Sequence, residues 1–432
     1  MKDNVNFSKL FILLTGLTLL LFSKPAYSQI ISQFGSEVTF RYTATFKVPL
    51  NTAEKTDQDR AQMHAQHLFG IMHSAILVRR LSIDSTKLGG IGAPRSQMQI
   101  DIISSETLDN TIQITYSNSG KMLLHKTAAK QLLKAGFIEL PLPANPYEIY
   151  DKNCTDQHYQ TFGDYWYFYD IFKSGCTYLN KEPYAHRVQI EIKATKYRKL
   201  DLTPKLPYLR GNNGNGDLFS IYMIHGFAEN LHVKDDDGRK NFNEFDQFMQ
   251  EQNFLESRQS SGTTVPLHVF TKTITLENGK QLHVEVKHML VDTAIESRSV
   301  AFANFFKDAV ENADVIMYAG HSGLGGNIDI PSLELKAGKL NFNPKKKQIF
   351  FFESCSSYSY YLEHFAVEKT KAKIDVITNG LSSYFTTSNG VITALMKNLL
   401  SPKITDTPWI KILKDMESGL NGETYLLNVG GL

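Results

Sequence analysis

Cysteine is scarce. The 432-residue chain carries three, with only two tryptophans. That is too few for a disulfide-dense scaffold, and no pair has the close spacing of a zinc or dithiol site. Phosphate-binding loops and dinucleotide fingerprints are also missing, so neither a metal nor a cofactor is expected. Charge of one sign is lacking: the formal net charge is +2, with lysine and arginine scattered rather than gathered into a tract. A nucleic-acid partner is therefore not expected. Beyond Phe22 no apolar run approaches the ~20 residues of a membrane-spanning helix. What is present is ordinary for a folded protein: 42% hydrophobic and 21% charged residues, 28 glycines and 14 prolines. Collagen-like and wholly disordered readings are excluded, and the length predicts two domains.

The N-terminus reads as a signal peptide over residues 1–28. Lys2 and Lys9 precede the apolar run 10–22 (LFILLTGLTLLLF), and Ala26-Tyr27-Ser28 offers small residues at peptidase spacing. An exported chain, periplasmic or extracellular, with no membrane attachment after cleavage is expected. In such a compartment an odd cysteine count leaves one thiol over. Cys154 and Cys176 flank an aromatic, turn-rich stretch and are expected to pair, closing a loop worth about 3 kcal/mol. Cys355 is then the free thiol.

Residues 29–201 read as an α+β module. Alternation predicts strands at 37–48 and 186–200, and an amphipathic helix spans 52–74. Two antiparallel runs, 96–105 and 110–126, are expected with a turn at Asn118-Ser119-Gly120. Residues 202–217 (LTPKLPYLRGNNGNGD) have linker composition. From 218 to 432 the pattern changes to continuous apolar strands (218–227, 313–323, 347–357, 373–380) separated by helices (242–254, 299–311), with a hairpin at 273–291. That pattern predicts an α/β domain with a mostly parallel sheet covered on both faces, whose functional groups lie past the carboxyl ends of the strands. His225, His321 and Cys355 each stand at such an end. If the strands ending at Ala319 and Glu353 are parallel neighbours, His321 and Cys355 meet across about 5 Å. A thiol beside histidine is an activated nucleophile.

At these residues the chain resembles the clan CD cysteine peptidases, the caspase-like family of caspases, legumains, gingipains, clostripain and separase. Their motif is four apolar residues, a histidine with glycine, a spacer, then four apolar residues and a small one before the cysteine. Val315-Ile316-Met317-Tyr318-Ala319-Gly320-His321-Ser322-Gly323 and Ile349-Phe350-Phe351-Phe352-Glu353-Ser354-Cys355 match the two halves. The resemblance covers about residues 217–400 and implies a caspase-like fold, Cys355 as nucleophile, His321 as general base and acid, and a peptide or protein substrate without a cofactor. Ser322 stands where the family has glycine as oxyanion donor, and Ser322, Gly323, Ser354 and His225 are the implied oxyanion and cleft residues. Asp329, Glu353 and the 379–388 loop are candidate linings of the substrate side-chain pocket.

Two other readings use the same residues. A caspase-like chain that has lost turnover would serve as a binding or structural protein. An α/β-hydrolase would take Ser322 as nucleophile, but Leu324 puts the elbow glycine out of spacing and only His364 follows the serine. Asp235-Asp236-Asp237-Gly238 with Glu244 echoes a calcium loop, with the glycine in the wrong register for an EF-hand; a solvated acidic turn is the expected reading. Nothing in the sequence sets an oligomeric state.

Overall fold

The computed structural model describes residues 30–52, 56–83, 90–147, 153–154, 173–176, 180–195, 206, 209–210, 216–259, 266–293, 299–322, 327–369 and 373–430. The expected signal peptide lies outside them. In chain order the elements are β1 (Ile31–Ser32), β2 (Gly35–Pro49), α1 (Asp57–Met72), α2 (Ala75–Arg80), β3 (Gly92–Pro94), β4 (Gln99–Leu108), β5 (Thr111–His125), α3 (Lys126–Ala135), β6 (Phe137–Pro143) and β7 (Ala185–Ala194). Next come β8 (Leu218–Gly226), α4 (Asp237–Glu251), β9 (Leu255–Gln259), β10 (Leu267–Thr275), β11 (Gln281–Val291), α5 (Val300–Asn312), β12 (Val315–Ala319) and α6 (Ile330–Ala337). The last are β13 (Gln348–Glu353), α7 (Ser357–Tyr360), α8 (Leu362–Ala366), β14 (Ile374–Thr378), α9 (Phe385–Leu399), α10 (Trp409–Ser418) and β15 (Asn428–Gly430).

The apolar strands of the second half form a nine-stranded mixed sheet in the order β1-β15-β14-β13-β12-β8-β11-β10-β9. Its centre, β14 to β11, is parallel, and antiparallel strands finish both edges. Side chains alternate between two buried faces, as a covered parallel sheet requires. Phe219, Ile221, Met223, Met317 and Phe351 pack with Phe245, Val391 and Trp409 of α4, α9 and α10. Tyr222, Ile224, Tyr318, Phe350 and Phe352 face Phe302, Phe306 and Phe365 of α5 and α8. The α/β class expected for this half is the one observed.

The first half builds an antiparallel sheet, β3-β5-β2-β7-β6 with β4 also on β5. Thr56 caps α1 by accepting from the Asp59 N–H at 3.1 Å. One expectation fails here: β5 runs unbroken through Asn118-Ser119-Gly120. Asn118 sits opposite Tyr42 and Ile100, buried, and donates to the Tyr42 hydroxyl at 2.9 Å. A buried partner for the amide outweighs the turn preference of the tripeptide. The reversal falls instead between β4 and β5, where Asp109 takes φ +52°. The Cys154–Cys176 disulfide is formed.

The two halves share one core. Residues of β2, β5 and α1 pack continuously with the α5–α8 face of the large sheet, and β1 from the first half pairs with β15 of the large sheet. Leu206, Leu209 and Arg210 of the expected linker are buried. The Arg210 guanidinium donates to the carbonyls of Ser401 and Lys403.

Candidate active site at the ends of three parallel strands

Strands β8, β12 and β13 end side by side, with Ala319 in register with Glu353 on one side and His225 on the other. His321 and Cys355 therefore leave neighbouring parallel strands two residues past a matched pair. Two bonds tie the departing loops: the Gly320 N–H donates to the Glu353 carbonyl at 3.2 Å, and the Ser322 hydroxyl donates to the Cys355 carbonyl. A side chain at Gly320 would start 2.6 Å from the Tyr318 hydroxyl. That hydroxyl fixes the loop from beneath by donating to the His321 carbonyl at 2.7 Å.

The imidazole of His321 is exposed. Its Nε2 lies 2.6 Å from the Ala228 carbonyl, and its ring meets Phe385 edge-on at 5.3 Å. A carbonyl only accepts, so in the neutral ring Nε2 carries the proton and Nδ1 is the basic nitrogen. The 228–229 loop is itself pinned. Buried Asp236 accepts from the N–H groups of Ala228 at 3.1 Å and Glu229 at 2.7 Å, and caps α4 through the Arg239 N–H at 2.9 Å. The acidic turn is thus a helix cap. Gly238 is needed there because a Cβ would fall 2.0 Å from the Gly226 carbonyl oxygen. The calcium echo has this structural explanation, and α4 starts earlier than the expected 242.

Cys355 lies outside the disulfide and is half-buried, its Sγ 3.5 Å from the Ser383 carbonyl. Burial, with Glu423 and Cys355 nearby, pushes the Tyr384 phenol up. Residue 356 then turns left-handed: Ser356 has φ +46°, a conformation uncommon outside glycine. Its N–H donates to the Leu381 carbonyl at 2.9 Å. Ser357 bridges β13 and β14, its hydroxyl donating to the Phe352 carbonyl and accepting from the Asn379 N–H.

Two residues before the thiol, at the end of β13, stands a buried carboxyl. Burial pushes the Glu353 carboxyl up to about 7, against the opposing effect of Ser388, Ser383 and Asn379. Asn379, Ser383 and Ser388 approach that carboxyl as hydrogen-bonding groups, and among the described residues Ser354 Oγ has no hydrogen-bond partner. Buried polar atoms left in this way call for an explanation. Asp329, the other expected lining carboxylate, caps α6 through the Ser332 N–H at 2.8 Å.

His225 needs correction. It is 1% exposed and does not reach the cleft. The strand continues through Gly226, so His225 still obeys the pleat and points to the α4 face with Met223. There its Nδ1 is 2.7 Å from His288 Nε2, and His288 Nδ1 is 2.7 Å from Asp246. Burial holds both imidazoles well below the usual range. The hydrolase reading also loses its geometry: the Ser322 hydroxyl is engaged by the Cys355 carbonyl, and His364 is exposed on α8. Gly323 lies outside the described residues. Ala228 was missed from sequence, since a backbone carbonyl leaves no chemical signature; Asp236 was seen as part of the acidic turn and Phe385 as part of the 379–388 loop, without these roles.

No protein-family model matches the chain, and no curated protein matches it. Among solved structures it is similar to a secreted C11 cysteine protease from Bacteroides thetaiotaomicron called iotapain, at 13% identity and a TM-score of 0.27. That match covers 48% of this chain and 63% of the other, so the chain spans less than two thirds of that protein's length. A likeness of that size assigns no residue a role.

Proposed function

We propose that the chain is an exported cysteine peptidase working through Cys355 and His321. The observation that carries the reading is the register of Ala319 with Glu353. It sends the Cys355 thiol and an exposed imidazole out from the carboxyl ends of two neighbouring strands, with the imidazole's Nε2 proton committed to Ala228. His321 Nδ1 takes the thiol proton, and the thiolate attacks the peptide carbonyl carbon. The C–N bond then breaks as the same nitrogen returns the proton to the leaving amine. Water, deprotonated by His321, hydrolyses the thioester and restores the thiol. All of these steps use the chain's own side chains and water.

The polar groups around Glu353 are read as one wall of a pocket for the substrate side chain. A buried carboxyl of this kind suits a lysine or arginine, whose positive charge would hold it ionised. The disulfide fits an oxidising compartment, and no helix among the described residues is long and apolar enough to cross a membrane. The test is turnover of a positional peptide library by residues 29–432, with Cys355→Ala as control. Cleavage after basic residues that vanishes in the variant supports the reading. Cleavage by neither protein, or equally by both, overturns it and leaves a caspase-like binding protein.

A further inference from the structure

The turn that carries Cys355 is completed by the other half of the chain. His73, at the C-terminal cap of α1, packs half-buried against it, with Nδ1 2.8 Å from the Phe69 carbonyl and Nε2 3.0 Å from the Ser356 hydroxyl. The Phe69 carbonyl only accepts, so Nδ1 bears the proton of the neutral ring and Nε2 accepts from Ser356. Burial pushes this imidazole down, which favours the neutral form. The contact grips the side chain of the residue directly after Cys355, whose backbone is left-handed.

The next residues are held by the same half. The Tyr358 hydroxyl lies 3.1 Å from Arg95 Nε and donates to Glu37 at 2.8 Å. The Ser359 hydroxyl donates to the Pro94 carbonyl, while the Ser359 carbonyl accepts from the Ser96 hydroxyl at 2.7 Å. Arg95 also pairs with Glu363 of α8. Residues 356, 358 and 359 thus take their side-chain partners from β2, β3 and the ends of α1 and β3. None of these belongs to the parallel strands that place the dyad.

We propose that the N-terminal half is a working part of the catalytic unit, in which His73 acts as a positioning residue for the Cys355 turn. The inference rests on the peptidase reading. In it the Ser356–His73 hydrogen bond holds the turn that aims the thiol at His321, and the N-terminal half is not a pro-segment whose removal would free the site. Loss of the bond leaves Ser356 able to relax from its left-handed backbone, which swings the preceding Cα–Cβ bond.

The experiment alkylates Cys355, the cysteine outside the disulfide, with iodoacetamide from pH 4 to 9 in the full mature chain. Wild type, His73→Phe, His73→Gln and Ser356→Ala are compared, with thermal melts alongside. His73→Phe keeps a ring against Phe69 but removes the acceptor; His73→Gln restores an acceptor. Alkylation at pH 6 is expected to fall about tenfold or more in His73→Phe and Ser356→Ala, and to recover largely in His73→Gln. A failure of His73→Phe to fold leaves Ser356→Ala to read the same bond from its other end. An activated wild-type thiol whose rate and pH profile are unchanged in His73→Phe and Ser356→Ala overturns this proposal alone. A wild-type thiol reactive only above about pH 8, like an ordinary cysteine, overturns the peptidase reading and the proposal with it.

Discussion

The two members of the proposed dyad are supported in different ways. His321 is held by its own half of the chain: the Tyr318 hydroxyl beneath its carbonyl, Ala228 on its ring nitrogen, and Asp236 behind Ala228. Cys355 leaves an equally regular strand, and the turn after it is held both by its own half, through Leu381, Phe352 and Asn379, and from outside, by His73, Pro94, Arg95 and Ser96. The histidine's place is therefore written into the parallel sheet and its loops, whereas the cysteine's also draws on a region far away in sequence. The shared core makes that dependence structural as well as local.

The comparison can be broken most directly at the dyad. Cys355→Ala and His321→Ala should each reduce peptide cleavage by several orders of magnitude, measured as kcat/KM, while melting close to wild type. Full activity in either removes the subject of the comparison. On the histidine side, Asp236→Ala frees the 228–229 loop and should lower kcat about 10- to 100-fold with a smaller change in KM. It also removes a helix cap, at a cost of about 1 kcal/mol in stability.

On the cysteine side the cost should fall on stability. Arg95→Met removes from buried Glu37 its Arg95 ion pair, with Lys121 remaining at 3.3 Å. Breaking a buried ion pair in this way costs on the order of 3–5 kcal/mol, read as a drop in urea midpoint. A cut engineered into 202–217 should leave the two pieces together on gel filtration, because β1 remains paired with β15. Release of the N-terminal piece would contradict the shared core.

The smallest effects are those of pH. Glu353 and Glu417 are both pushed by burial to about 7 from an ordinary 4.5. A carboxyl raised on folding contributes stability below about pH 4.5 that is lost as pH rises through 7. Glu353→Gln should therefore gain on the order of 1–3 kcal/mol at pH 8 relative to wild type and little at pH 4. In the N-terminal half, burial holds His64 at about 3 and His67 at about 4. Their contribution is present above pH 6.5 and lost as pH falls toward 3, so acid unfolding should begin there. Tryptophan-independent probes such as amide exchange in α1 would show it.

Much of this arrangement was legible in the sequence, and the reason is periodicity. Continuous apolar runs ending at Ala319 and Glu353 announce buried parallel strands, and strand ends are where loops carry chemistry. That Cys355 stands outside the disulfide followed from cysteine arithmetic, since Cys154 and Cys176 do pair. What could not be read was set by tertiary partners. Asn118 sits in mid-strand because Tyr42 receives its amide. His225 looks like a cleft residue until its ring is seen buried among the α4 side chains and within hydrogen-bond reach of His288. His73 is an unremarkable helix-end histidine whose partner stands 283 positions away, and no local pattern encodes such a pair.

The dyad itself is tested most directly by the alkylation rate of Cys355 across pH 4–9 in the mature chain and in His321→Ala. The account predicts a rate that stays high well below pH 8.5 in the first and collapses in the second. A thiol silent until the protein unfolds, or equally reactive without His321, would contradict it.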